Sequence, residues 1–332
     1  MLAVKYIRTN WDLPFYNFAL EEYLINEAPE ESYLFFYIHR PSIIVGKHQN
    51  TIEEINKDFV DEHDIIVARR LSGGGAVYHD EGNLNFSFVQ KADKEDVNNF
   101  EKFTRPVIEA LNQLGVGAEM SGRNDILVDG KKISGNAQYY AKGRLLSHGT
   151  LLFDADMSNL FNALKVQDLK IKSKGIKSIK SRVANIKDYL NQDMSIFEFK
   201  AYLLDYMVNH YGVEEYALGE EELAKIEERA EQKFSQWDWN WGESPAYEIS
   251  KKDKFPCGLI NVKLNIKNGR IKDCKIYGDF FTRREIQELE DFLCGQVYER
   301  ESIKQALSSG DIEVTDYFHE VTPEALAELI TV

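Results

Sequence analysis

Residues 64–79 read Asp64-Ile65-Ile66-Val67-Ala68-Arg69-Arg70-Leu71-Ser72-Gly73-Gly74-Gly75-Ala76-Val77-Tyr78-His79. A β-branched run ends on two arginines, three glycines follow, and a second apolar run starts at Ala76. The pattern is strand, loop, strand. Glycine lacks a Cβ, so Gly73, Gly74 and Gly75 can take positive φ and let a ligand approach the backbone. Successive N–H groups in such a turn attract anions, and Arg69 and Arg70 stand beside them. The loop suits a phosphate or a carboxylate. Its plain alternative is a glycine-rich hairpin turn with two solvated arginines, although a hairpin needs only one or two glycines. Neither standard nucleotide motif occurs. A P-loop ends in Gly-Lys-Ser/Thr, whereas Gly130-Lys131-Lys132-Ile133-Ser134-Gly135 is followed by Asn136. A dinucleotide fingerprint runs Gly-x-Gly-x-x-Gly into a helix, whereas Gly75 leads to Ala76-Val77-Tyr78-His79, which patterns as strand.

Working outward, Asp12 is placed to cap a helix reaching about residue 26, with Phe15, Phe18, Ala19 and Tyr23 on one face. Residues 33–38 and 42–45 read as strands. Thr51-Ile52-Glu53-Glu54 has the form of a capping box and predicts a helix to about residue 62. Residues 83–89 alternate as a half-buried strand does. A helix is expected over 97–114, with Gly115 to end it. Residues 126–133 predict a hairpin turning at Asp129-Gly130, with Lys132 on the return arm. Lys142-Gly143 marks a turn before a strand over 144–153, and helix and coil fill 156–234. After Trp237, Trp239 and Trp241, Gly242 and Pro245 break the pattern. Two strands over 259–266 and 271–277, joined by Asn268-Gly269, then precede a helix over 282–293. Two domains are expected, residues 1–246 and 252–332.

Composition narrows the class. Of 332 residues, 43% are hydrophobic and 29% charged, as in an ordinary globular protein. No apolar run reaches the length of a membrane span, and the N-terminal stretch lacks a signal peptide's apolar region. The three cysteines, Cys257, Cys274 and Cys294, show no metal-ligand spacing. A cytoplasmic protein with no membrane partner is expected. A net charge of −15 argues against a nucleic-acid partner, which requires a broadly basic face. Against that balance, residues 165–187 carry Lys165, Lys170, Lys172, Lys174, Lys177, Lys180, Arg182 and Lys187 with a single Asp168. Such a run is either a solvated face or a basic loop that closes on an anionic substrate.

Three segments together resemble the lipoate–protein ligase family, within the biotin and lipoate ligase superfamily. Arg69 to Asp80 resembles that family's signature. Gly122-Arg123-Asn124-Asp125 with Lys131-Lys132-Ile133-Ser134-Gly135-Asn136-Ala137 is similar to its second block, and His148-Gly149-Thr150-Leu151-Leu152 to its third. Residues 174–183 resemble its adenylate-binding loop, and order and spacing agree over nearly the whole chain.

The resemblance implies an α/β (α+β) fold: a large catalytic domain like that of biotin–protein ligases and class II synthetases, with mixed sheets flanked by helices, plus a small C-terminal α/β domain. It implies that lipoate is activated by ATP to lipoyl-AMP, and that the lipoyl group then passes to a lysine. The acceptors would be apo lipoyl domains of 2-oxo acid dehydrogenase complexes or the glycine-cleavage H protein. Carried over by position, Arg70, Gly75, Ala76, Val77, Tyr78, Lys132 and Arg182 bind ATP or the adenylate. Ser72, Gly73, Gly74, Lys132 and His148 bind lipoate, and Lys132 is catalytic. Asn124, Asp125 and His79 are further candidates. His148 either contacts the ligand or braces its strand, and His79-Asp80 suit a bracing role at a strand end. Mg²⁺ is expected with ATP, to offset phosphate charge, and no protein metal site is evident. A related transferase working through a thioester needs a cysteine in the catalytic domain, and all three lie beyond residue 256. A binder without catalysis is disfavoured because Arg70, the glycines and Lys132 are all present.

The basic segment generates a test. Limited proteolysis is expected to cut between residues 165 and 187 in the ligand-free protein and to cut more slowly with lipoyl-adenylate bound; equal rates leave the segment a solvated face.

Overall fold

The computed structural model describes residues 4–29, 31–122, 124–164, 182–241 and 249–331. The strands, in chain order, are β1 (Val4–Ile7), β2 (Ser32–Ile38), β3 (Ser42–Val45), β4 (Ile66–Arg69), β5 (Val77–His79), β6 (Asn83–Lys91) and β7 (Glu119–Ser121). They continue with β8 (Asp125–Val128), β9 (Lys131–Ala141), β10 (Arg144–Leu152), β11 (Val213–Tyr216), β12 (Ile249–Phe255), β13 (Gly258–Lys267) and β14 (Arg270–Gly278). Eight of them form one mixed sheet in the order β11-β1-β2-β6-β10-β9-β8-β7. β1 runs parallel to both its neighbours. β4-β3-β5 and β12-β13-β14 are separate three-stranded sheets.

Helices cover both faces of the large sheet, which explains its apolar strands. Leu34, Phe36 and Phe86 pack with Val107 and Leu111 of the Phe100–Gln113 helix and Phe199 and Leu203 of the Ile196–Tyr211 helix. Phe35, Tyr37 and Leu146 face the other way, against Phe18 and Leu24 of the Pro14–Asn26 helix and Ile226 of the Glu220–Arg229 helix. β6 lies in the middle and is buried on both faces over most of its length, so its alternation does not mark a solvated side.

Other local expectations give way to tertiary contacts. The first helix starts at Pro14 with Leu13 at the N-cap. Proline suits that first turn, and Asp12 instead ion-pairs with Arg40 at 2.9 Å. Thr51–Glu54 stops after one turn and a second helix, Lys57–Glu62, restarts it. Thr51 Oγ1 donates to the Asn240 carbonyl and accepts from Arg69, so it is not free to cap, and buried Ile55 is extended in a bridge to Leu164. The helix expected from 97 starts at Phe100, where Asn99 caps it by accepting from the Lys102 N–H. The hairpin turns at Asp129-Gly130, Lys142-Gly143 and Asn268-Gly269 all form, each with both residues at positive φ. β1, β11 and β12 have no strand signature in the sequence. β11 is a four-residue edge that follows the left-handed Gly212, and β12 is a lysine-bearing edge, as exposed strand edges tend to be.

The β12–β14 sheet with its helices packs against the glycine loop. The Gly278 N–H donates to the His48 carbonyl at 2.8 Å, Lys47 pairs with Glu285 at 2.7 Å, and the His48 ring stacks on Phe280 at 5.0 Å. Trp239 and Trp241 line a cleft shared with Tyr277 and Glu285, in keeping with interface packing. Trp237 does not join them; it is 55% exposed.

Arg69 ties this region together. Its guanidinium is buried, and it donates to the carbonyls of Gly46, Gln49, Trp239 and Asn240 and to the Thr51 hydroxyl at 2.6–3.2 Å. Burial lowers its pKa only to about 10, so it stays charged at neutral pH. Arg69→Ala strands several buried carbonyls, each of which costs about 1–3 kcal/mol when unpaired. The expected loss of unfolding free energy is at least about 3 kcal/mol by urea titration; an unchanged midpoint would show that the clamp is redundant.

Candidate active site

The glycine loop, β9, β10 and the Pro14–Asn26 helix enclose a cavity of about 170 Å³. Arg70, Gly74, Gly75, Ala76 and Val77 form one wall, and Lys132, Gly135, Asn136 and Ala137 of β9 form another. Phe18, Tyr37, His79, Asn85 and His148 line the part beneath the Pro14–Asn26 helix, and Phe281 enters from the β12–β14 unit.

Arg70 sits inside the loop. Nη2 donates to the Gly73 and Gly75 carbonyls at 2.6 and 2.9 Å, Nη1 to the Ile44 carbonyl at 3.1 Å, and Nε to Ser72 Oγ at 3.0 Å. Burial lowers its pKa to about 10, with nearby Glu21 opposing the shift. The two arginines are therefore neither solvated nor free: both are spent on backbone carbonyls. The loop's own N–H groups are partly committed as well, since Gly74 N–H donates to the Phe280 carbonyl at 3.3 Å. Gly74 has φ +91°, and a Cβ on Gly73 would meet the Phe280 oxygen at 2.1 Å, so glycine is required at both positions.

Ser72 continues the network inward. Its Oγ lies 2.6 Å from His148 Nε2, and His148 Nδ1 lies 2.8 Å from Glu21 Oε1. Since Ser72 already accepts from Arg70, its hydroxyl donates to Nε2, and Nδ1–H donates to the buried Glu21 carboxylate. Ser87 also donates to Glu21, at 2.6 Å. A serine, a histidine and a carboxylate thus stand in relay order, but Ser72 is fully buried and does not reach the cavity. The relay fixes the loop's first residue to the sheet. Both His148 nitrogens are occupied, so it braces, and only the remainder of its ring is left to face a ligand.

Lys132 lies at the other end. Its Nζ is 2.8 Å from Asp125 Oδ1, and both side chains are about one-third exposed. Its side chain folds back over Gly135, where a Cβ would meet Nζ at 2.9 Å. Its backbone is pinned on both sides, Lys132 N–H to the Arg182 carbonyl at 2.6 Å and Ala184 N–H to the Lys132 carbonyl at 3.0 Å. The neighbour Lys131 is exposed and does not line the cavity, as strand alternation requires. Asn124 and Asn136 exchange side-chain and backbone bonds at 2.6–3.0 Å, which holds the β8 entry against β9.

Of the residues singled out in the sequence, Arg70, Gly74, Gly75, Ala76, Val77, His79, Asn124, Lys132 and His148 line this one cavity. Ser72, Gly73, Tyr78 and Asp125 do not. Tyr78 turns its side chain into the cluster of Ile43, Val45 and Val67, leaving only its backbone on this side. Asp80 braces a turn, accepting from the N–H groups of Gly82 and Asp156. Arg182 contributes a carbonyl, with its side chain exposed. Arg123 and residues 165–181, which hold most of the basic run, lie outside the described residues. Phe18, Glu21, Tyr37, Asn85 and Phe281 went unnoticed because they come from four distant segments with no motif of their own.

Known proteins resemble this chain over most of its length. The family model for the lipoyl protein ligase A/B catalytic domain matches residues 13–208, and that for the bacterial lipoate protein ligase C-terminus matches 244–330. Lipoate-protein ligase LplJ of Bacillus subtilis is 51% identical over 321 residues, covering 96% of each chain. Among solved structures, P. falciparum LipL1 in complex with lipoate superposes with a TM-score of 0.80 at 26% identity, over 94% of this chain and 96% of that one. Lipoate-protein ligase A bound with ATP gives 0.64 at 30% identity, over 73% and 99%. Matched by both family models and 51% identical to LplJ over 96% of each chain, the chain belongs to the lipoate–protein ligase family.

Proposed function

We propose that this cavity is where the chain, an ATP-dependent lipoate–protein ligase, activates lipoate and from which it passes the lipoyl group on. The observation that carries the reading is the Lys132 ammonium, held by Asp125 at the cavity edge opposite the glycine loop. In the first step a lipoate carboxylate oxygen attacks the α-phosphorus of ATP, the bond to the β-phosphate bridge breaks, and pyrophosphate leaves. In the second, a lysine ε-amine attacks the acyl carbon, the bond to the phosphate oxygen breaks, and AMP leaves with loss of an amine proton. Both steps load negative charge onto oxygens, which a prepositioned cation stabilises most when it need not reorganise.

In this reading Lys132 contacts the acyl carbonyl and the α-phosphate. The backbone of Gly75, Ala76, Val77 and Tyr78 receives the adenylate, with Arg70 holding the loop's shape from within and Arg182 fixing the Lys132 backbone. Gly74 and His148 border the acyl tail, and Ser72 and Gly73 act through the loop's position. Mg²⁺ enters with the ATP phosphates; among the described residues no group of three His, Cys, Asp or Glu side chains converges to hold it otherwise. The acceptor is a lipoyl-domain protein, of the 2-oxo acid dehydrogenase or glycine-cleavage type. Residues 1–246 form the catalytic domain and 252–332 the accessory one, and the protein acts in the cytoplasm; no described helix is long and apolar enough to cross a membrane. Lipoate-dependent exchange of labelled pyrophosphate into ATP tests the activity, and exchange that ignores lipoate would refute it.

The two neighbouring lysines form an internal control. Lys132→Ala is expected to slow single-turnover lipoyl-adenylate formation roughly 10²–10³-fold, the scale for losing one oriented electrostatic contact. Lys131→Ala should change it little. Lys132→Arg should rescue poorly, since a planar fork does not replace a compact ammonium. A damaging Lys131→Ala with a silent Lys132→Ala would move the role to the other face.

A further inference from the structure

We propose that His79 is a specificity residue that recognises the sulfur-bearing ring of the acyl substrate, its Nε2–H donating to a ring sulfur. The inference rests on the ligase reading above and deepens it.

Its protonation pattern follows from a chain of buried contacts. Asn17 Nδ2 donates to the Trp11 carbonyl at 3.0 Å, which fixes the amide's orientation, because its oxygen could not face that carbonyl. The same Nδ2 lies 3.2 Å from His39 Nε2, which must therefore accept. Burial lowers the His39 pKa to about 3, so the ring is neutral and its single proton sits on Nδ1. His39 Nδ1 is 3.0 Å from His79 Nδ1. That second Nδ1 must accept, and His79, whose pKa burial also pushes well down, is neutral and carries its proton on Nε2. Nε2 is buried and has no hydrogen-bond partner in the structure.

The cavity wall includes this histidine in the part where a ring would lie. His79 forms part of the wall with Phe18, Tyr37, Asn85 and His148. The other polar groups here are occupied: His148 by Ser72 and Glu21, Asn85 by Asn83 and the Tyr37 carbonyl, and the Tyr37 hydroxyl by Glu21 and Ser87 at 3.4 Å. Of these side chains, His79 has a buried nitrogen with no hydrogen-bond partner at all. Lys132 Nζ folds back to Gly135, and Ala137, two residues along β9, pairs with His148 of β10. At about 3.3 Å per residue, the inner group lies roughly 7 Å or more along the strand from the ammonium. An acid with its carboxylate at Lys132 and a ring at the end of a five-carbon arm spans that separation. A thioether-type sulfur is a weak acceptor, but an unfilled buried donor penalises any ligand that cannot accept from it.

The test compares lipoate with 5-cyclopentylpentanoate, which keeps the arm and the five-membered ring and lacks sulfur. The wild-type protein should favour lipoate in kcat/KM for acyl-adenylate formation. His79→Phe should narrow that ratio about tenfold, mainly through KM, and His79→Gln, which keeps an N–H donor, should restore part of it. Equal losses with both acids, or an unmoved ratio, would overturn the proposal. Should His79→Phe not fold, calorimetric titration of both acids into the wild-type protein without ATP decides: about tenfold tighter lipoate supports it and equal affinity overturns it. If neither acid yields an adenylate, the ligase reading itself fails; activity without discrimination removes only His79's role.

Discussion

Two adjacent guanidiniums, buried and paired with backbone carbonyls, are the constraint on which the rest of this structure depends. Arg69 and Arg70 are consecutive at the end of β4, so their side chains leave on opposite sides. One gathers the 46–51 segment and the Trp237–Asn240 turn. The other fills the glycine loop and holds its carbonyls inward. A charge in a low-dielectric interior is tolerable only when its donors are nearly all satisfied, and here the partners are main-chain oxygens of segments that would otherwise be irregular. The loop's conformation is the shape that satisfies Arg70.

From that loop a polar chain runs into the protein, through Ser72 and His148 to Glu21, and a second runs from His79 through His39 to Asn17. Both lie beneath the helix that covers this face of the sheet. Buried polar networks of this kind specify an arrangement through their paired members, and His79 Nε2, Asn17 Oδ1 and Glu21 Oε2 are the atoms left without a partner in these two. Here they tie the glycine loop and β5 to the sheet and helix behind the cavity. At the cavity's other end Lys132 pairs with Asp125, both side chains about one-third exposed, so the pair itself contributes little to stability.

The β12–β14 unit takes part in the same arrangement. Its Phe280 carbonyl accepts from Gly74, its Phe281 ring enters the cavity, and His48 stacks beneath Phe280. Gly73 and Gly74 lie against this unit, and Gly74 and Gly75 line the cavity, which explains why the run is longer than a turn requires.

Much of this was legible in the sequence, because the information is local. Asp129-Gly130, Lys142-Gly143 and Asn268-Gly269 need left-handed backbone, so the hairpins and the side of β9 that carries Lys132 follow from residue type and alternation. The glycine run beside two arginines, with the blocks at 122–137 and 148–152, points to a lipoate ligase by residue pattern alone. What the sequence did not determine is where the arginines' donors go, that Thr51 joins Arg69 in place of capping a helix, and that β1, β11 and β12 are strands. Nor did it show that Tyr37 and Phe281 reach the cavity, or that Glu21 lies behind His148. These depend on how separate segments meet, as Arg69 does with both Thr51 and Asn240, or on a sheet edge supplied by another segment, and a side chain's local pattern carries no record of which carbonyl will satisfy it.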